Sequence, residues 1–193
     1  MHSSGSIESL EFPQDLLKPS ATVLRVFGPD DYADQLPRWC RFYNQLDVSQ
    51  VSKHPGWAWI LQRAFFHRPY VIEANQEGQI TGLLTLALVE SRLFGRFLVS
   101  LPYVNYCGMI SIDEVTHQQL IDRAVEVAEH LDVDYLELRN HEDVSHPLLE
   151  KGVQKKVHMR LGLPETAGEL WDGFKPKVRN QIRKGQKSGV EIV

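Results

Sequence analysis

The chain has 193 residues, 42% hydrophobic and 24% charged, with a formal net charge of −4, values that fit one globular domain and exclude a fibrous or low-complexity chain. Its two cysteines, Cys40 and Cys107, are too few for a disulfide framework and read as reduced thiols of a cytoplasmic protein. The longest apolar run, Leu83–Val89 with Thr85 inside it, is far short of a membrane span, and Met1-His-Ser-Ser-Gly-Ser-Ile-Glu8 has neither the basic nor the apolar region of a signal peptide.

Residues 1–20, with Pro13 and Pro19, read as a polar, flexible lead-in. Ala21–Phe27 is a strand ended by Gly28-Pro29. A helix over roughly Asp31–Asn44 follows, capped by Asp30 or Asp31 and interrupted at Pro37. After a polar loop, Pro55 opens a second helix carrying Trp57, Trp59, Ile60, Leu61, Ala64 and Phe65. Trp57 and Trp59, two apart, cannot share a helix face, so one packs while the other is free to line a cleft.

Tyr70–Ala74, Ile80–Glu90 and Arg96–Pro102 are short apolar runs split by polar and Gly-containing turns, the pattern of strands joined by hairpins. The middle run is apolar at nearly every position and is expected inside the sheet, covered on both faces. Pro102 cannot donate to a ladder and hands over to Tyr103-Val-Asn-Tyr-Cys-Gly-Met109. A loop with two tyrosines and an asparagine at the end of a buried strand suits either a ligand or an aromatic sheet corner. The first reading places Tyr103, Asn105 and Tyr106 around a concave site open to solvent.

Ser111-x-x-Glu114 has the form of a capping box, and the helix behind it carries Leu120, Ile121, Ala124, Val127, Ala128 and Leu131 at helical spacing. Asp134–Arg139 is a strand, 141–152 a loop, and Lys156–Leu163 a further strand, in which His158 reads as a packed or edge histidine. His141, Glu142, Asp143 and His146 show no metal-ligand spacing, and no metal is expected.

A second capping box, Thr166-x-x-Glu169, starts the last helical stretch, restarted at Pro176 and ended by Gly189. Trp171, Phe174, Val178 and Ile182 form one apolar stripe, expected to point into the core. Arg179, Arg183 and Lys187 recur at i, i+4 and i+8, with Lys175, Lys177 and Lys184 beside them and no acid between Asp172 and Glu191. Residues 1–150 hold 11 Lys/Arg against 21 Asp/Glu and residues 151–193 hold 10 against 4, balances of −10 and +6 that sum to −4. The ladder suits an anionic group such as a phosphate, or else is a solvated helix face. It is expected to face the same cleft as the Tyr103–Tyr106 loop.

The order of elements implies a single-domain α+β layout, a mixed sheet carrying an antiparallel meander with helices packed on it. Phe174-Lys-x-Lys-x-Arg-Asn-x-Ile-Arg-Lys-x-x-Lys-Ser-Gly189 resembles the basic helix of the FemAB-like family. Ser100–Met109, Tyr135–Asn140, His54–Trp57, Arg92–Leu98 and Lys156–Leu161 resemble the branch of that family found beside exosortase and PEP-CTERM systems. The resemblance runs from about Ala21 to Val193. It implies a GNAT-like (acyl-CoA N-acyltransferase) fold and transfer of an acyl or aminoacyl group to an amine of a cell-envelope precursor such as a muropeptide. Peptidoglycan-bridge members take aminoacyl-tRNA as donor and a nucleotide- or lipid-linked, hence anionic, acceptor. The family usually carries two GNAT-like halves. This chain is expected to correspond to the first, 21–193, with a final strand Val190–Val193 cut short and a second half as partner. Cys107 stands where the branch more often has Gly.

On this reading Trp57, Tyr103, Asn105, Tyr106, Arg179, Arg183 and Lys187 bind substrate, with no cofactor and no general base assigned. A pyrophosphate-binding Gln/Arg-x-x-Gly-x-Gly/Ala turn is begun at Gln79, Arg92 and Gln186 and fails each time, at Leu84, Phe97 and Glu191. No P-loop or Gly-x-Ser-x-Gly occurs. The reading from a different class is a non-catalytic anion- or RNA-binding module built on the basic helix.

Overall fold

The computed structural model describes residues 21–46, 51–107, 109–140, 145–150 and 161–189. Expectations for residues 1–20, 141–144, 156–160 (His158 among them) and 190–193 lie outside these. The chain divides into two compact units, Met1–Leu149 and Glu150–Val193.

The first unit is a mixed six-stranded sheet with helices on both faces, the expected α+β class. Its strands are β1 (Val23–Phe27), β2 (Arg68–Gln76), β3 (Gln79–Ser91), β4 (Gly95–Val99), β5 (Ile110–Ser111) and β6 (Tyr135–Glu137). The order is β1-β2-β3-β4-β6; the first four run antiparallel, and β6 joins β4 in parallel. β3 therefore lies inside the sheet, as its unbroken apolar run requires, and most of it is buried. Residues 135–137 of the expected Asp134–Arg139 strand are in the ladder.

Three helices cover this sheet: α1 (Tyr32–Gln45), α2 (Gly56–Phe65) and α3 (Glu114–His130). Ile72, Leu84, Leu86, Leu88 and Leu98 face Leu120, Ile121, Ala124, Val127 and Ala128 of α3 in one apolar cluster. Gly82 lets α3 approach, because a Cβ there would lie 2.8 Å from Thr116 Cγ2 and 2.9 Å from Leu120 Cδ1. The opposite face packs Val71 and Leu83 on Tyr32, Trp39 and Phe42 of α1 and Ala58 of α2.

Three local expectations are corrected. Asp113, not Ser111, caps α3: its carboxylate accepts the Thr116 backbone N–H at 2.7 Å, while Ser111 lies in β5. The chain leaves β5 extended through Asp113, so the cap falls two residues later than the Ser-x-x-Glu spacing suggests. Asp31 precedes α1 but makes no side-chain cap; the N–H groups of Asp31 and Tyr32 both donate to the Gly28 carbonyl instead. Pro37 does not interrupt α1. Its lost hydrogen bond is offset by the burial of Tyr32, Trp39 and Phe42 on one side of the helix.

The second unit holds α4 (Ala167–Gly173) and α5 (Pro176–Lys187). Both bonds of the Thr166–Glu169 capping box form, Pro176 opens α5, and Gly189 follows its end at φ +74°. The expected core stripe is corrected. No residue of α4 or α5 is buried, and Val178 is 42% exposed. Helical periodicity says that one side is apolar; burial needs a surface to cover it. Leu161, Leu163, Pro164, Leu170, Gly173 and Phe174 line an open groove of about 440 Å³ in this unit.

Candidate functional site

β4 and β5 share one edge of β3. β4 pairs with Ala87–Ser91 and β5 with Gly82 and Leu83, so Leu84–Leu86 lie between the two ladders. The chain from Ser100 to Met109 joins β4 to β5 across this interval, and it is the stretch the sequence reads as either a ligand loop or an aromatic sheet corner.

Hydrogen bonds to the end of β6 hold the loop. Ser100 N–H donates to the Glu137 carbonyl at 2.9 Å, Arg139 N–H to Ser100 Oγ at 2.7 Å, and Cys107 N–H to the Arg139 carbonyl at 3.1 Å. Arg139 also donates from Nη1 to the Val104 carbonyl at 3.1 Å and from Nε to Glu137 at 2.8 Å. Beneath it Leu101 and Cys107 pack on Ala87 and Leu61, with Trp57 and Val104 against them. Leu101 and Tyr103 adopt φ of +59° and +68°, a region that side chains other than Gly rarely enter. Such strain persists only where surrounding contacts impose it, and here the bonds to β6 do so.

Cys107 is buried, its Sγ bonded to the Ser100 carbonyl, and burial pushes its thiol up to about 11. It is a neutral packing group, because a nucleophilic cysteine needs an accessible thiolate.

Above this base Tyr103 and Asn105 are exposed and Tyr106 is half-buried, none of them in the core. Tyr103 is 67% exposed, and its hydroxyl lies 3.0 Å from Nε2 of His67, in the link between α2 and β2. Phe65 lies 4.7 Å from the Tyr103 ring, and Phe66, 87% exposed, takes φ +58° at the end of α2. Partial burial lowers the pKa of His67 below the usual histidine value, so at neutral pH it is an uncharged base.

The two tryptophans divide as their spacing requires. Trp57 is half-buried, and its indole N–H donates to the Val51 carbonyl at 2.9 Å, so it acts as a wall of the loop's base. Trp59 is the exposed one, with the Arg63 guanidinium 5.7 Å from its ring. The structure thus brings Trp57, Tyr103, Asn105 and Tyr106 to one region. Arg179, Arg183 and Lys187 belong to the second unit, where Arg183 lies 5.3 Å from the Trp171 ring. Among the described residues no ion pair engages the α5 cations, no group of His, Cys, Asp and Glu forms a metal site, and no helix is long and apolar enough to cross a membrane.

Two features escape the sequence reading. His67 is one histidine among eight, and only the fold brings it to Tyr103, 36 residues away. Glu73 sits fully buried in an otherwise apolar run, accepting from Trp39 Nε1 at 2.8 Å and paired with Arg38. A lone carboxylate inside Tyr70–Ala74 was the available signal. Its partners make it a structural charge that ties α1 to β2.

No protein-family profile and no curated protein matches the chain. Among solved structures, an aminoglycoside acetyltransferase from an uncultured soil metagenomic sample in complex with sisomicin is 14% identical with a TM-score of 0.45, over 74% of this chain and 97% of that one. A ribosomal-protein-alanine N-acetyltransferase from Brucella melitensis is 13% identical with a TM-score of 0.44, over 74% and 100%. A GNAT family acetyltransferase from Staphylococcus aureus is 13% identical with a TM-score of 0.40, over 75% and 98%.

Proposed function

We propose that the chain is a GNAT-like N-acyltransferase of the FemAB-like kind, transferring an acyl or aminoacyl group to an amine of an envelope precursor such as a muropeptide. The observation that carries this reading is the Tyr103–His67 pair on a loop held rigidly at the interval between β4 and β5. An amine attacking a carbonyl forms the new C–N bond, the ester or thioester bond to the donor breaks, and the amine must lose a proton. Neutral His67 accepts that proton through the Tyr103 hydroxyl, and the departing oxygen or sulfur is protonated in turn. Asn105 and Tyr106 orient the acceptor, and proximity supplies much of the rate.

The test is transfer to a nucleotide-linked muropeptide, followed by mass spectrometry, with aminoacyl-tRNA and acetyl-CoA offered separately as donors. Tyr103→Phe and His67→Gln should each lower the rate by about 100-fold. A base acts only when unprotonated, and His67, with Phe65 and Tyr103 beside its ring, titrates below the usual histidine value. The rate should therefore fall only as pH drops through that lowered value and be flat above it.

The second reading, an anion- or RNA-binding module in the second unit, is favoured by Lys175, Lys177, Arg179, Arg183, Lys184 and Lys187 standing without ion pairs among the described residues. If neither donor gives product while RNA binds with affinity falling steeply in salt, that reading replaces the first.

A further inference from the structure

We infer that one end of the first unit is built to dock on an anionic lipid surface, with Phe66, Leu93 and Phe94 entering the bilayer and Arg63, Arg68 and Arg92 meeting its headgroups. The inference goes beyond the transferase reading: it concerns where the unit docks and uses no step of the transfer. Leu93 and Phe94 form the tip of the β3–β4 hairpin and are 87% and 76% exposed. Phe66, between α2 and β2, is 87% exposed. The register places both turns at one end of the sheet. Arg68, the first residue of β2, pairs with Leu88 of β3, and β3 runs on from there to Ser91, which pairs with Gly95 of β4. The hairpin tip therefore projects past the rung where β2 begins, by roughly 10 Å for three residues of strand, on the side from which Phe66 enters.

The backbone fixes both turns. Ser91 Oγ accepts the N–H groups of Leu93 at 3.3 Å and Phe94 at 3.2 Å. Gly95 follows at φ +79°, where a Cβ would lie 2.3 Å from Asp134 Oδ2. Phe66 holds φ +58°, and its N–H donates to the Gln62 carbonyl at 3.1 Å. These peptide N–H groups are satisfied within the protein, as hydrocarbon requires of any backbone it takes in. Three large apolar side chains on two projecting turns suit a bilayer, which moulds around them, better than a protein surface, which needs a matching hollow for each.

Charge selects the lipid. Arg63 stands one helical turn before Phe66, Arg68 two residues after it, and Arg92 beside Leu93; all three are exposed and form no ion pair among the described residues. Nearby acids are engaged with Arg96: Glu90 pairs with its guanidinium at 3.1 Å, and Asp134 accepts its backbone N–H at 2.8 Å. Asp132 stays exposed, against the three arginines. Arginines beside inserted apolar groups lay their stems along hydrocarbon and carry their charge to anionic headgroups.

The test is co-sedimentation of the full chain with vesicles of phosphatidylcholine alone and of phosphatidylcholine with phosphatidylglycerol in equal parts, at two salt concentrations. Wild type should bind the anionic vesicles more tightly, and less so in high salt. Leu93→Ser with Phe94→Ser should weaken that binding by about tenfold or more. Phe94→Trp keeps a ring suited to the interface and should stay within about threefold of wild type. Arg68→Gln with Arg92→Gln should lower the preference for anionic vesicles several-fold. Circular dichroism and the melting midpoint establish that each variant is folded. The cations of α5 are a competing source of attraction to anionic lipid, and none of these variants touches them. The inference is overturned if wild type binds neither vesicle, or if the arginine variant keeps the full anionic preference. It is overturned equally if the folded Leu93→Ser/Phe94→Ser variant binds as wild type does, which would assign the attraction to α5. A dimer in sedimentation velocity that this variant dissociates, with no vesicle binding, would give the end to a second copy of the chain instead. Muropeptide transfer without vesicles should be unchanged in the same variant, so failure of docking and failure of the transferase reading are read separately.

Discussion

In α3 the apolar residues Leu120, Ile121, Ala124, Val127 and Ala128 are all buried under the sheet. In α5, Val178 and Ile182 recur at the same kind of spacing, and neither is buried. Both helices carry charge on their other sides. The difference is what lies opposite. Gly82 and the apolar face of β3 give α3 a surface to close on, whereas within the second unit no described side chain of α5 is buried. An amphipathic stripe therefore identifies a helix but not a core, and most helical stability in a folded chain comes from what the stripe packs against.

The largest effect that sharpens this contrast is a pair of core truncations. Leu84→Ala removes a fully buried side chain from β3 and should cost roughly 2–5 kcal/mol, measured by urea unfolding. Ile182→Ala removes a side chain that is not buried, with little cavity to leave, and should cost less than about 1 kcal/mol. Equal losses would mean that Ile182 sits in a packed core after all, and the contrast would be wrong.

Much of the first unit is legible in sequence because its strands alternate with unambiguous breakers. The turns at Asn75–Gln79 and Ser91–Gly95 and the apolar run of β3 leave few other arrangements. The cap of α3 is less legible, since Ser111, Asp113 and Glu114 all suit a helix start and only the path out of β5 selects Asp113. The candidate site is half legible. Pro102 ending a buried strand marks the Tyr103 loop, but nothing local ties Tyr103 to His67, or Ser100 to Arg139 across 39 residues. Glu73 goes unmarked in sequence because its meaning lies in Arg38 and Trp39, on another element.

A smaller effect is expected at Gly82. An added methyl would meet Thr116, Leu120 and the Ile110 carbonyl at 2.8–3.1 Å, so α3 or β5 must shift. Gly82→Ala should cost about 1–3 kcal/mol, whereas Gly173→Ala, with nothing within 4 Å of the new Cβ, should leave the unfolding curve of the first unit unchanged. An unchanged midpoint for Gly82→Ala would show that α3 is not seated on β3 as closely as the glycine permits.

The smallest effect compares two helix caps. Asp113 accepts the Thr116 N–H and Thr166 accepts the Glu169 N–H, so each satisfies one orphan donor. Replacing either by alanine removes an interaction of about 1 kcal/mol. For α3 the loss should appear in global unfolding, because the helix is part of the first unit's core. For α4, with no buried residue, it should appear as faster amide exchange in Ala167–Gly173 alone. The Asp113 cap is also pH-dependent. The backbone N–H of Thr116 holds its carboxyl below the ordinary aspartate value, so the charged form is favoured in the folded state. Its contribution is therefore fully present above the unfolded value and is lost as pH falls through the folded one. Asp113→Asn keeps an acceptor without the charge, so the gap between it and wild type should be constant near neutral pH and close in acid. A gap that persists in acid would assign the stabilisation to the shape of the cap rather than to its charge.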